Sequence, residues 1–356
     1  METLLVLKRF CFRSLSINVY FPPTPTRQSN KIFSVSFKVV YTDYGFENVE
    51  TERSLIEAAG GRLVEASCSS IEEVIEACKD ADAVLVQWAP LPKEVIDSLN
   101  RCRLIVRVGI GVDNVDLDAA AQKGITVCNV PDYCLDEVAD HTMALALALA
   151  RDLKQIDTRT REGTWKITPV SHVGAFSEQT FATVGFGRIA RKVHERARGF
   201  HFRRAAYDPY VSADEMRDVG VEPITLDDLL ARADILSLHS ALTPETHHLI
   251  SAKTLERMKP SAILINTSRG GLIDSLALAD ALDRGIIGGA GLDVFESEPL
   301  PDDHPLRRSP NTLLTSHIAW YSEQSVPRLQ ELSAIEVAGF MTGKPPRNPV
   351  NTPVQK

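Results

Sequence analysis

From Phe37 onward, short apolar runs rich in β-branched residues alternate with longer stretches whose apolar positions recur every three or four residues. The runs at 37–41, 83–86, 104–107 and 125–128 predict buried parallel strands. Between them, 50–59 (stopped by Gly60-Gly61) and 71–78 predict amphipathic helices. At Leu135 the pattern changes. Asp136 and Glu137 open, and Arg151 and Lys154 close, a run of strong helix formers, which predicts one long helix over about 137–157. The alternation then resumes, with strands predicted near 181–184, 203–207, 235–238, 262–266, 289–292 and 312–315. A last amphipathic helix is predicted over about 323–340, and 343–356, rich in Pro and Asn, predicts no regular structure. Such alternation implies an α/β fold with helices on both faces of parallel sheets.

A length of 356 residues exceeds one comfortable domain, so two doubly wound domains are expected. With 44% apolar and 24% charged residues the chain has the composition of a globular protein with sizeable cores. The net charge of −8 is dispersed, which argues against nucleic acid as a partner. The longest uncharged apolar run of note, Met143 to Ala150, is too short to cross a bilayer, so no membrane is expected either. Cys11, Cys68, Cys78, Cys102, Cys128 and Cys134 form no CxxC pair and no metal-finger spacing. Free thiols in a reducing compartment are expected, with no metal. Residues 1–36 carry Lys8, Arg9, Arg13, Arg27 and Lys31 against the single acid Glu2. This extension reads as disordered or as an organelle-targeting segment; otherwise a cytoplasmic location is expected.

The sharpest motif is Val184-Gly185-Phe186-Gly187-Arg188-Ile189-Ala190, a G-x-G-x-x-A between a predicted strand and a helix. Gly185 permits a tight turn, Gly187 lets backbone N–H groups approach a pyrophosphate, and Ala190 allows close helix–strand packing. Asp208 ends the next predicted strand, where a carboxylate takes the ribose hydroxyls and repels a 2′-phosphate. NAD is therefore the expected cofactor. Asp208 also reads as a turn starter before Pro209, and Thr183 places a hydroxyl oddly inside a strand that should be buried.

Arg269, Glu298 and His317 each follow a predicted strand, at the edge where open α/β sheets bind ligands. A histidine can move one proton near neutral pH, a carboxylate beside it raises its pKa and fixes its ring, and an arginine can grip a carboxylate with two hydrogen bonds. Taken singly, Arg269 also reads as a helix-entry charge, Glu298 as one of several acids before Pro299, and His317 as a loop histidine. Spacing does not choose between Glu296 and Glu298.

Six motifs stand in a fixed order: Arg107-Val-Gly-Ile-Gly-Val-Asp-Asn114, Glu137-Val-Ala-Asp140, the glycine fingerprint, Asn266-Thr-Ser-Arg-Gly270, Leu292-Asp-Val-Phe-Glu-Ser-Glu-Pro299 and Ser316-His-Ile-Ala-Trp-Tyr-Ser-Glu323. With them, residues 37–345 resemble the D-isomer-specific 2-hydroxyacid dehydrogenases, which include phosphoglycerate dehydrogenase, glyoxylate/hydroxypyruvate reductase and the C-terminal-binding proteins. The resemblance implies a Rossmann NAD-binding domain, 136–316, inserted into a flavodoxin-like substrate domain, 37–135 and 317–345, followed by a tail, 346–356. The two would close on each other about hinges near 135 and 317.

The resemblance also implies roles. Arg269 would bind the carboxylate and oxo group of a small 2-hydroxy or 2-oxo acid, His317 would give and take the proton, and Glu298, before the proline, would be its partner. Gly185, Phe186, Gly187, Arg188, Ile189, Asp208 and the loop from Ser240 to Thr246 would hold the cofactor. Asp293 would hold the nicotinamide carboxamide, with Thr267 and Ser268 beside the ring. The N–H groups of Ile110 and Gly111 would grip the substrate carboxylate, and Trp320 would line the substrate pocket, which Arg107 would face. Trp320, His247-His248-Leu249-Ile250 and Glu296-Ser-Glu-Pro299 are similar to the C-terminal-binding-protein branch. That branch carries the alternative of an NAD-sensing, corepressor-like binding protein with little turnover, although a chain without a long regulatory tail resembles the metabolic members more. A homodimer pairing through the cofactor domain, near 144–150, is expected. The sequence departs from the family pattern at Ser316, at Ser240-Ala241 and at Phe176-Ser-Glu-Gln179.

Overall fold

The computed structural model describes residues 36–168 and 172–354. The basic extension, apart from Ser36, and Cys11 within it lie outside the described residues.

The first sheet joins β1 (Phe37–Tyr41), β2 (Gly61–Glu65), β3 (Ala83–Val86), β4 (Leu104–Arg107) and β5 (Thr126–Cys128) in the order β2-β1-β3-β4-β5. All its pairs are parallel, with crossovers through α1 (Glu50–Ala58), α2 (Ile71–Cys78), α3 (Lys93–Ser98) and α4 (Leu117–Lys123). This is the flavodoxin-like order. The central strands are apolar throughout because both faces are covered. Val39, Leu85, Leu104 and Val106 point into one core, and Val40, Val84, Val86 and Ile105 into the other. β2 was not predicted from the pattern. It is an edge strand anchored by one fully buried side chain, Leu63, so it has almost no apolar signature.

Two helices, α5 (Leu135–Ala150) and α6 (Leu153–Arg161), replace the single helix expected over 137–157. The chain breaks at Asp152, whose backbone is left-handed (φ 55) and whose N–H donates to Leu149 O at 2.9 Å. Aspartate tolerates that conformation better than most residues. Beyond the break, Lys154 Nζ donates to Thr312 O at 2.8 Å, a tertiary anchor that overrides the helical preference of the run.

The second sheet contains β6 (Thr180–Val184), β7 (Arg203–Tyr207), β8 (Glu222–Pro223), β9 (Ile235–Leu238), β10 (Ile263–Asn266), β11 (Gly289–Leu292) and β12 (Thr312–Leu314). Its helices are α7 (Arg188–Gly199), α8 (Ala213–Asp218), α9 (Leu226–Arg232), α10 (Ala252–Leu255) and α11 (Ser275–Asp283). The order β12-β11-β10-β9-β6-β7-β8 is the Rossmann order, extended by one strand. The order reverses between β6 and β9, so a crevice opens at the carboxyl ends of the strands there. The oddity at Thr183 has a partner: its hydroxyl is hydrogen-bonded to His194 Nε2 at 2.9 Å, both groups buried. Burial pushes the His194 pKa down to about 3, so the ring stays neutral.

α12 (Ser325–Met341) returns to the first sheet and packs on α1 and β4. The segment after it, expected to be irregular, forms no helix or strand of its own but pairs with the exposed edge of β5. Pro349 bridges Cys128, Val350 N–H donates to Val127 O at 2.8 Å, and Asn351 Oδ1 accepts the Val127 N–H at 2.8 Å. Among the described residues all five cysteines are free, four of them buried, and no helix is long and apolar enough to cross a membrane.

Under α12 lies a buried carboxyl. Glu52 of α1 is fully enclosed; burial pushes its pKa up to about 7, partly opposed by a hydrogen bond from Gln330 Nε2 at 3.1 Å. In the unfolded chain the same group titrates near 4.5. The fold thus holds a proton the unfolded chain has lost, and stability falls as pH rises from about 4.5 to 7, by on the order of 3 kcal/mol. Glu52→Gln should remove that slope. Urea unfolding should show the variant gaining stability over the parent at pH 8 and matching it near pH 4.5; equal stabilities at pH 8 would contradict this.

Candidate active site

β6 ends at Val184, and Gly185 turns the chain with φ 92. A Cβ there would stand 2.6 Å from the His239 carbonyl oxygen, so the turn requires glycine. Gly187 caps α7 and has open space where a side chain would be, leaving the helix N-terminus facing the crevice. Asp208, just after β7, accepts the Phe186 N–H at 2.7 Å through Oδ2 and the Tyr210 N–H at 2.8 Å through Oδ1. The carboxylate is thereby fixed beside the glycine turn with lone pairs to spare. Across the crevice the Ser240 hydroxyl is buried without a hydrogen-bond partner among the described residues. A tight glycine turn, a helix N-terminus, an acid at the next strand end and an orphaned donor fit a dinucleotide.

Not every residue expected at the cofactor reaches the cleft. The Phe186 ring is buried in a small core with Ala206, Met216 and Val221, and its N–H is taken by Asp208. Arg188 ion-pairs with Asp132 instead of pointing inward. Thr246 closes its own turn, accepting the Thr243 N–H at 2.8 Å and donating to Ala241 O at 2.7 Å. Ile189, Ser240, Thr267, Ser268 and Asp293 do line the cleft, a cavity of about 580 Å3, as do Arg107, Ile110, Gly111, Arg269, His317 and Trp320.

Within it, Arg269 extends from the end of β10 toward the glycine loop after β4. Its Nε donates to Asp113 Oδ1 at 2.7 Å and an Nη to Ser268 O at 2.7 Å. A Cβ at Gly111 would overlap the guanidinium, so glycine there is what lets the arginine lie across the loop. Burial pushes Asp113 upward, but Arg269 and Arg107 outweigh it and hold the carboxyl below its ordinary pKa. The N–H groups of Ile110 and Gly111 donate to nothing among the described residues. Burial, and then the charge of Arg269, lower the pKa of Arg107, whose Nε is buried without a hydrogen-bond partner among the described residues.

His317 sits on a left-handed residue (φ 54) after β12, with its N–H on Asp293 O at 2.7 Å. Its Nδ1 donates to Glu298 Oε2 at 2.6 Å, which leaves Nε2 for the cleft. Glu298 also accepts the Phe295 N–H at 2.9 Å. Burial pushes Glu298 upward, but His317, that N–H and Arg269 together lower its pKa below the ordinary value. Glu296, the acid that spacing left open, faces away and pairs with His248. Asp293 organises the turn: Oδ1 accepts from the Thr315 hydroxyl at 2.5 Å and the Ile318 N–H at 2.9 Å, and Oδ2 from the Ala319 N–H at 2.9 Å. The Trp320 ring is pinned by Nε1 donating to His317 O at 2.9 Å and lies beside Tyr133.

Several supporting residues escaped the sequence reading. Asp113 lay inside a quoted motif, yet nothing in spacing shows it pairing with a residue 156 positions away. His141 and Thr142 of α5 reach Thr315 (3.0 Å) and Thr267 (2.8 Å). Their one signal was polarity on an apolar helix face. Trp88, after β3, is half exposed at the cleft's outer mouth, in a cavity that also meets His317 and Tyr321.

The sheet order, the glycine turn and the cleft at the switch point define a dinucleotide-binding α/β protein of two parallel-sheet domains. A family model described as D-isomer specific 2-hydroxyacid dehydrogenase, NAD binding domain, matches residues 143–319. The chain is 40% identical over 287 residues to a glyoxylate reductase of Korarchaeum cryptofilum, spanning 80% of this chain and 86% of the relative. It is 40% identical over 268 residues to a D-3-phosphoglycerate dehydrogenase of Mycobacterium tuberculosis, spanning 75% of this chain but only about half (50%) of that protein. A crystal structure of D-lactate dehydrogenase from Aquifex aeolicus, complexed with NAD and lactic acid, superposes with a TM-score of 0.78 at 30% identity, covering 86% of this chain and 96% of that one. The chain belongs to the D-isomer-specific 2-hydroxyacid dehydrogenase family, and NAD is the cofactor of its larger sheet.

Proposed function

We propose that this chain reduces a small 2-oxo acid to the D-2-hydroxy acid with NADH, and runs the reverse oxidation with NAD. The observation that carries the reading is the His317 Nδ1–Glu298 pair at 2.6 Å, with His317 Nε2 turned to the cavity that Arg269 enters from the other wall. Bound NADH supplies the hydride. Arg269 binds the substrate carboxylate and polarises the neighbouring carbonyl, helped by the Ile110 and Gly111 N–H groups. His317 gives its Nε2 proton to the carbonyl oxygen, and Glu298 stabilises the charged ring and fixes its orientation. Asp293 keeps the His317 turn in place and offers its remaining lone pair toward the nicotinamide side. Asp208 selects NAD over the 2′-phosphorylated form by charge repulsion.

Residues 37–135 with 317–345 form the substrate domain, to which the paired segment up to 354 adds, and 136–316 form the cofactor domain. Closure about 135 and 317 shuts water out of the hydride path. A homodimer is part of the same proposal, supported by Trp165 and Ile167, which stand 86% and 97% exposed after α6.

The test is NADH oxidation at 340 nm by the purified chain with glyoxylate, hydroxypyruvate, pyruvate and longer 2-oxo acids, the same preparation being sized by sedimentation. Rapid oxidation with at least one acid, NADH preferred over NADPH, and a species of twice the chain mass are expected. Silence across the panel with both cofactors would remove the enzymatic reading, and a monomer at micromolar concentration the dimeric one.

A further inference from the structure

Outside the cleft, one group among the described residues combines two imidazoles and a carboxylate. His247, His248 and Glu296 bring their ligand atoms within 4.8 Å of one another. The two histidines follow the loop that Thr246 closes, and their rings stack with centroids 3.9 Å apart. His248 Nε2 lies 2.6 Å from Glu296 Oε1.

The carboxylate is aimed by its surroundings. Its other oxygen, Oε2, accepts the Ser275 N–H at 2.9 Å and the Ser275 hydroxyl, at the first turn of α11. His304 backs that hydroxyl through Nε2 at 3.2 Å, and the Leu306 N–H donates to His304 Nδ1, which fixes the His304 tautomer. His248 is held at φ 52, with its N–H on Gly271 O at 2.9 Å. The His247 ring makes no hydrogen bond among the described residues and is exposed. A surface ion pair requires neither a left-handed backbone nor a second imidazole stacked beside it.

We propose that His247, His248 and Glu296 bind a divalent transition-metal cation of the zinc class. Two imidazole nitrogens and one carboxylate oxygen suit Zn2+, Co2+ or Ni2+, whereas Mg2+ and Ca2+ prefer oxygen alone. The ion replaces the proton shared by His248 and Glu296. Ligand atoms around a tetrahedral zinc stand roughly 3.4 Å apart, so that pair opens by roughly 0.8 Å while the untethered His247 ring swings in and water completes the shell. The bonds to Glu296 Oε2 are the outer-shell support that metal-binding carboxylates ordinarily have. A bound ion ties together the turn at 247–248, the start of α11 and the 293–299 loop. The ligands come from separate stretches of chain, which is why no metal spacing stands in the sequence.

The experiment uses the full chain without a histidine tag, titrated with Zn2+ in a calorimeter and with Co2+ followed by visible absorption. One ion per chain is expected, with cobalt displaced by Zn2+ and not by Mg2+. His247→Gln and Glu296→Gln should each weaken Zn2+ at least about tenfold. His317→Ala should leave it unchanged, which separates this site from the His317–Glu298 pair of the cleft. Zn2+ should also raise the Tm of the parent by several degrees and not that of His247→Gln. The proposal is overturned if no stoichiometric ion binds at millimolar concentration. It is equally overturned if binding survives both ligand variants, or if it is lost in His317→Ala and kept in His247→Gln.

Discussion

Replacing His317 by alanine should lower kcat for 2-oxo acid reduction by about 10^2- to 10^4-fold, the range a positioned general acid contributes, while NADH binds as before. Two imidazoles line the cavity: burial pushes the His239 pKa down to about 4, and of the two only His317 has a carboxylate partner. Its removal leaves Glu298 with the Phe295 N–H, so the loop keeps an anchor and the fold should survive. NADH fluorescence titration checks binding and single-turnover absorbance checks chemistry. A variant that loses cofactor affinity together with turnover would mean that the ring supports the nucleotide and not the proton.

Arg269→Ala should reduce kcat/KM by a comparable or greater factor, on the order of 10^3, and should raise KM as well as lower kcat. Two charge-assisted hydrogen bonds of about 1.5–3 kcal/mol each are lost, and the substrate carboxylate is left facing a site short of one positive charge. Arg269→Lys restores the charge but not the fork and should recover only part of the loss. The diagnostic is the split between the two constants. If Arg269→Ala changes kcat alone, the carboxylate is held elsewhere, and Arg107, whose Nε is buried without a partner among the described residues, becomes the candidate.

Much of this was legible before any fold was known, for a physical reason. Parallel strands buried on both faces announce themselves as apolar runs, so β1, β3, β4, β6, β9, β10 and β11 were placed within a residue or so. Two of the four edges were not: β2 and the two-residue β8 bury too little to leave a pattern, whereas the edges β5 and β12 match the strands expected at 125–128 and 312–315. The tail's pairing with β5 rests on backbone bonds and on the single side chain of Asn351, too little to make a periodic pattern. The break at Asp152 was hidden because local propensity favours helix straight through it, and only contacts to Asn311 and Thr312 decide otherwise. At the site, the glycine fingerprint was readable from spacing, because a Cβ clash at Gly185 is a local matter. The choice of Glu298 over Glu296 was not, since both stand before Pro299 and both find a histidine. It took the resemblance to choose, and in the structure Glu298 is the one paired with His317.

The weaving of the chain sets an order of assembly. All strands of the seven-stranded sheet lie within one continuous stretch, 180–314, whereas the five-stranded sheet is laid down first and then lacks its covering helix and its edge partner until Ser325 and Pro349 emerge from the ribosome. During synthesis the seven-stranded lobe can therefore be complete while the five-stranded lobe still exposes α1 and the open side of β5. A chain cut short after β12 would carry a finished cofactor half joined to an apolar, unclosed one, the state most prone to aggregate.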